Sequence, residues 1–190
     1  MVQFNLTNVT SALKSVIKPQ HCRTFLNVLS SKKTYNGHKV IGYTQKQLYD
    51  VVSNIDEYKN YIPYCTNSEV LKTQTINNRN KQLTAVLGVG FNGISETYIS
   101  EVTCERPGLV RADVSDDLFK HLSAIWRIAP HHESPSTHCD LSFHLEFEFS
   151  SILYSQIANV FFDEINMMII DAFEKRCYNL YGPPASPPPI

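Results

Sequence analysis

The stretch from Leu141 to Phe149 alternates without a break, and it constrains the fold more than any other part of the chain. Leu141, Phe143, Leu145, Phe147 and Phe149 fall on one face, while Ser142, His144, Glu146 and Glu148 fall on the other. Successive side chains of a strand point to opposite faces, so this is a strand of an antiparallel sheet with one buried and one wet face. The period then changes at once. Leu153, Ile157, Val160, Phe161, Ile165, Met168, Ile169 and Ala172 recur at three- and four-residue steps, which on a helix makes a broad apolar stripe. Ser150 and Ser151 can cap that helix, and Gly182 followed by Pro183 and Pro184 stops it. Roughly 30 residues at about 1.5 Å each give a helix near 45 Å long. A one-sided sheet followed directly by a one-sided helix buries the two apolar surfaces against each other.

The upstream chain supplies the rest of the sheet. Lys39–Thr44 reads as a short first strand, and Gln47, Leu48, Tyr49, Val51 and Val52 as a small helix with Thr44 as its N-cap. Pro63 stops any helix in the aromatic segment that holds Tyr58, Tyr61, Ile62 and Tyr64. In residues 81–91, Leu83, Ala85, Leu87, Val89 and Phe91 alternate with smaller or polar neighbours. Asn92-Gly93 follows, a strong hairpin signal, and leads into a strand with Tyr98, Ser100 and Val102 on one face. Pro107-Gly108 and Asp116-Asp117 mark two further turns. Between and after them lie a strand at 109–114 and one in which Leu122, Ala124, Trp126 and Ile128 face one way. The predicted fold is α+β: a twisted antiparallel sheet of about six to seven strands around one long C-terminal helix, with short helices after the first strand. Pattern alone leaves open whether the space between sheet and helix is filled by side chains or forms a pocket.

Composition narrows the function. With 190 residues, 43% hydrophobic and 18% charged, the chain suits one domain with a sizeable core. It has no run of about 18 apolar residues that could form a spanning helix. No Asp or Glu precedes Asp50, whereas Lys14, Lys18, Arg23, Lys32 and Lys33 all lie in the first 33 residues. The remainder carries twelve basic and eighteen acidic residues, a poor match to a phosphate backbone, so no nucleic-acid partner is expected. Five widely spaced cysteines without a CxxC fit neither a disulfide framework nor a zinc site, and are read as reduced thiols packing as small hydrophobes. Residues 1–33 are basic, acid-free and rich in Ser, Thr and Asn, and Val9, Leu13, Val16 and Ile17 can share a helical face. This reads as a mitochondrial transit peptide, with a disordered basic segment as the alternative. Residues 34–182 form the domain and 183–190 a Pro-rich tail.

Three strings, VVSNIDEYKNYIPYC (51–65), VGFNGISETYISEVT (89–103) and FEFSSILYSQIANVFFDEINMMIIDAFEKRCYNLYG (147–182), occur in the order seen in a known family. The chain resembles the mitochondrial coenzyme Q-binding protein family, a branch of the START-like, polyketide-cyclase-like helix-grip proteins, over about residues 35–182. The resemblance implies an open hydrophobic cavity between sheet and helix that accepts the ring and isoprenoid tail of ubiquinone as a bound ligand, with no separate cofactor. It also implies a supporting role in respiration and coenzyme Q synthesis without turnover. The place implied is the matrix side of the mitochondrial inner membrane, held peripherally, with respiratory or coenzyme Q synthesis complexes as partners.

A quinone pocket needs mostly apolar walls and a few orienting polar groups. The expected lining is Phe91, Tyr98, Trp126, Phe143, Phe147, Phe161, Ile165, Met168 and Ile169, against plain core packing as the simpler explanation. Tyr58, Tyr61, Pro63 and Tyr64, with Leu118 and Phe119 on a turn, are the expected gate, suited to a membrane surface. No catalytic set assembles. His131, His132, His138 and Cys139 lie in a loop without metal-ligand spacing, so no metal is expected. A cyclase or hydrolase on the same scaffold would need a titratable group in the cavity, and His144, Glu146 and Glu148 fall on the opposite face. A ribosome-associated role, as in bacterial proteins resembling this family, is the other alternative.

Overall fold

The computed structural model describes residues 32–91, 93–114 and 116–186, apart from the side chains at 91, 94, 153 and 156–167. Seven strands form one antiparallel sheet: β1 (Lys32–Ile41), β2 (Cys65–Thr75), β3 (Asn80–Phe91), β4 (Ile94–Glu105), β5 (Leu109–Val114), β6 (Phe119–Pro130) and β7 (Cys139–Phe149). Their spatial order is β1-β7-β6-β5-β4-β3-β2. Everything from β2 to β7 is a meander of neighbours, and only β1 reaches across the sequence, pairing Tyr35 with Leu145. Among the described residues there are also two α-helices, α1 (Gln45–Val52) and the long α2 (Ile152–Tyr181), with a 3₁₀ helix at Ile55–Asn60.

The start of α1 follows from its sequence. The Thr44 hydroxyl accepts from the Gln47 amide at 3.2 Å, and the Gln47 side chain accepts from the Thr44 amide at 2.9 Å. Two otherwise orphaned donors are thus satisfied reciprocally, and Leu48, Tyr49, Val51 and Val52 turn inward. α2 ends at Gly182, whose φ of +82° suits a residue without a Cβ. The Tyr43 hydroxyl donates to the Gly182 carbonyl at 2.8 Å, tying that end to the β1–α1 connection.

Two elements depart from the sequence expectation. The first strand is Lys32–Ile41, not Lys39–Thr44. Asn36, Gly37 and His38 have weak strand preference of their own, and ten paired positions against β7 impose the strand. β2 has no counterpart in the sequence pattern. It is a sheet edge in which Ser68 is the only fully buried residue, so alternation hardly shows.

The packed core lies between the inner face of the sheet, α1 and the later part of α2. Ile41, Leu48, Val52, Val102, Val110, Trp126, Leu141, Phe173 and Cys177 belong to it. Cys104, Cys139 and Cys177 are buried free thiols, and Cys65 is half-buried and free.

Candidate functional site

The inner face of the sheet is not filled along its whole length. A cavity of about 330 Å³ opens between the sheet and α2, at the lower end of the range of about 300–1,000 Å³ found for small-molecule sites. Strand alternation builds its walls. β4 contributes Glu96, Tyr98, Ser100 and Val102; β6 contributes Leu122, Ala124 and Trp126; β7 contributes Phe143, Leu145, Phe147 and Phe149. The 3₁₀ helix and the turn after it bring Ile55, Tyr58, Ile62, Pro63 and Tyr64, and α2 brings Tyr154, Ile169 and Phe173.

The aromatic side chains fix one another. Trp126 stacks on Phe143 with centroids 3.9 Å apart and meets Phe173 edge-on at 4.6 Å. Phe119 stacks on Phe149 at 4.6 Å and receives Tyr98 edge-on at 5.2 Å. Offset and edge-on contacts of this kind add about 0.5–1.5 kcal/mol each beyond area burial. The wall is therefore preformed rather than assembled around a ligand.

The polar groups in this wall are few. Tyr58 donates its hydroxyl to the Val52 carbonyl, and burial raises its pKa well above the ordinary value. Tyr98 is likewise shifted upward by burial, as is the Cys65 thiol. Tyr154 donates to the Glu96 carboxylate, and that hydrogen bond raises the pKa of Tyr154. The Ser100 hydroxyl is buried and has no hydrogen-bond partner among the described residues.

Of the side chains expected to line a pocket, Tyr98, Trp126, Phe143, Phe147 and Ile169 do so. Met168 is half-buried but is not on the wall. The side chains of Phe91, Phe161 and Ile165 lie outside the described residues. Of the expected gate, Tyr58, Pro63, Tyr64, Leu118 and Phe119 line the cavity. Phe119 opens β6 and is 4% exposed, so it belongs to the wall rather than to a surface turn. Tyr61 stands behind the wall, edge-on to Phe173 at 5.6 Å, with the Arg176 guanidinium 5.5 Å above its ring. Glu96, Ser100 and Tyr154 were not expected there. The strand alternation that turns Tyr98 inward also turns Glu96 and Ser100 inward, which was the available signal.

The opposite face of the sheet is an ion-pair surface. Lys32 and His121 both meet Glu146, at 2.9 and 3.0 Å, and Lys120 meets Glu148 at 2.7 Å. In the histidine loop, His131 Nδ1 lies 2.9 Å from Asp140, and His138 Nδ1 lies 2.9 Å from the Thr137 hydroxyl. Among the described residues, no group of three or more His, Cys, Asp or Glu comes together to hold a metal.

The family model described as polyketide cyclase / dehydrase and lipid transport matches residues 41–174. The Saccharomyces cerevisiae coenzyme Q-binding protein COQ10, mitochondrial, is 33% identical over 153 residues, covering 78% of this chain and 72% of its own. The chain belongs to the coenzyme Q-binding protein family. The Xenopus laevis coenzyme Q-binding protein COQ10 homolog B, mitochondrial, is 39% identical over 166 residues, or 84% of this chain. The chain spans 66% of the length of that relative. The fold is shared with a START superfamily protein from Mycobacterium smegmatis, at a TM-score of 0.61 and 16% identity over 77% of this chain and 98% of that one. Membership in the family accounts for the order of elements, and the helix-grip arrangement expected from the sequence is the one present.

Proposed function

We propose that the chain binds coenzyme Q, the ring and the first part of its isoprenoid tail, in the cavity between sheet and α2, and carries it without chemical change. The observation that supports this most directly is the preformed apolar cavity, walled by Trp126, Phe143, Leu145 and Phe147, with few polar groups. Its volume of about 330 Å³ suits a ring and a short length of chain, so a longer tail leaves through the mouth. The names of the yeast and frog relatives, both coenzyme Q-binding and mitochondrial, support the ligand and the organelle. On this reading the protein is a lipid carrier or chaperone rather than an enzyme. It contacts the matrix face of the inner membrane peripherally and serves respiratory or coenzyme Q synthesis complexes. Tyr64, Pro63 and Leu118 form the rim through which the tail passes.

Organic extraction of protein purified from a quinone-producing host, followed by mass spectrometry, tests the reading. The expected result is near-stoichiometric quinone from the wild type and its loss from Leu145→Glu. That substitution puts an unpaired charge on the wall, and circular dichroism checks that the variant is folded. Wild-type protein that carries no quinone from such a host would refute the proposal.

A further inference from the structure

Glu96 is the only charged side chain on the cavity wall among the described residues, and nothing in a purely apolar carrier calls for it. It sits on the inner face of β4, in line with Tyr98 and Ser100. It is half-buried and bonded to the Tyr154 hydroxyl on the first turn of α2. An ionised carboxylate accepts hydrogen bonds at about four lone-pair positions and donates none. Tyr154 takes one of them, so a carboxylate on the wall of an apolar cavity keeps acceptor capacity to spare. Whatever polar head enters that space therefore meets an unfilled acceptor.

This distinguishes the two redox forms of a quinone. The oxidised ring carries only acceptors, its two carbonyl oxygens and its ether oxygens, and set against a carboxylate these repel. The reduced ring carries two phenolic O–H donors, each able to bond to Glu96 as Tyr154 does. Tyr154 is itself a phenol, so the structure already contains the contact a reduced ring would make. We propose that Glu96 makes the cavity selective for the reduced, dihydroxy-aromatic form of its ligand over the oxidised dione. This rests on the quinone-binding reading above and specifies which state of the ligand is carried. Ser100, whose buried hydroxyl lacks a partner among the described residues, stands four residues along the same strand. At about 3.4 Å per residue it is about 14 Å away, too far to serve the same ring oxygen and so no competitor for this contact.

The test is isothermal titration of the full chain with a quinone carrying a two-isoprene tail, once oxidised and once reduced and kept anaerobic. A hydrogen bond to a charged acceptor predicts the reduced form binding about tenfold more tightly to the wild type. Glu96→Gln, whose amide both donates and accepts, is expected to bring the two affinities within about twofold. Tyr154→Phe, which removes the competing donor and keeps the carboxylate, is expected to preserve the preference. Equal binding of both forms to the wild type would overturn the inference while leaving the cavity reading intact, whatever the variants do. Tighter binding of the reduced form that persists in folded Glu96→Gln would overturn the role of Glu96. Should that variant not fold, Glu96→Met makes the same comparison without a carboxylate. Binding of neither form by the wild type would instead refute the quinone-binding reading itself.

Discussion

Two serines of this sheet are equally buried, both 0% exposed, and their removal is expected to act in opposite directions. Ser68 Oγ donates to the Asp56 carbonyl at 2.9 Å and accepts from the Lys59 amide at 3.0 Å. Ser68→Ala removes both hydrogen bonds, each contributing about 0.5–1.5 kcal/mol net. Ser100 Oγ has no partner among the described residues, and a buried unsatisfied hydroxyl costs about 1–3 kcal/mol. Ser100→Ala removes the penalty and keeps the Cβ. It loses only the dispersion contacts of one oxygen, at about 0.1–0.2 kcal/mol per atom pair. The expected net effect is a gain of about 1 kcal/mol, which for a domain of about 150–250 residues raises Tm by about 2–4 °C. Urea unfolding of ligand-free protein, followed by circular dichroism, measures both variants against the wild type. A Ser100→Ala protein destabilised by about 1 kcal/mol or more would show that the hydroxyl has a partner and refute the reasoning.

Two further outcomes follow from the packing. Phe173 is 1% exposed and touches Tyr58, Tyr61 and Trp126 at once, so Phe173→Ala should cost about 3–5 kcal/mol by denaturant unfolding; a loss below about 2 kcal/mol would show that the site collapses to fill the void. Burial pushes the Cys139 and Cys177 thiols up to about 12, and since the thiolate is the nucleophile, neither should be alkylated in folded protein at mildly alkaline pH. Peptide mapping by mass spectrometry reads this, with both sites reacting once urea unfolds the chain.

The parts of the fold that were legible in the sequence are those where a single physical pattern dominates. β7 declares itself because every second residue is a large hydrophobe, and α2 because its apolar stripe is long and bounded by Gly182. β1 and β2 do not, because each is an edge strand with few buried positions, and β1 exists through its pairing with β7. The cavity shows the same division. Tyr98, Trp126 and Phe143 could be placed on its wall because bulky apolar residues on the inner face have nowhere else to go. Glu96 was passed over because a carboxylate in a strand is ordinarily a solvated residue, and only the structure sets its oxygens against the Tyr154 hydroxyl. Ser100 is small and polar, so the pattern around it gives no hint that its hydroxyl would lack a partner among the described residues.

The pairing of β1 with β7 also bears on how the chain reaches this state. Lys32 stands opposite Glu148, more than a hundred residues apart, while every other strand pair joins sequence neighbours. Long-range pairings must absorb the loop-closure entropy before any contact repays it, and they slow folding. A chain emerging N-terminus first, from a ribosome or through a translocation pore, exposes the β1 segment first and its partner strand almost last. Until β7 arrives, β6 of the growing meander presents an open edge, the kind of surface on which chains associate wrongly. The last strand and the helix that follows it are thus the step that both closes the cavity and covers the open edge of β6. A nascent chain lacking residues beyond β6 should require a chaperone that the complete chain can release.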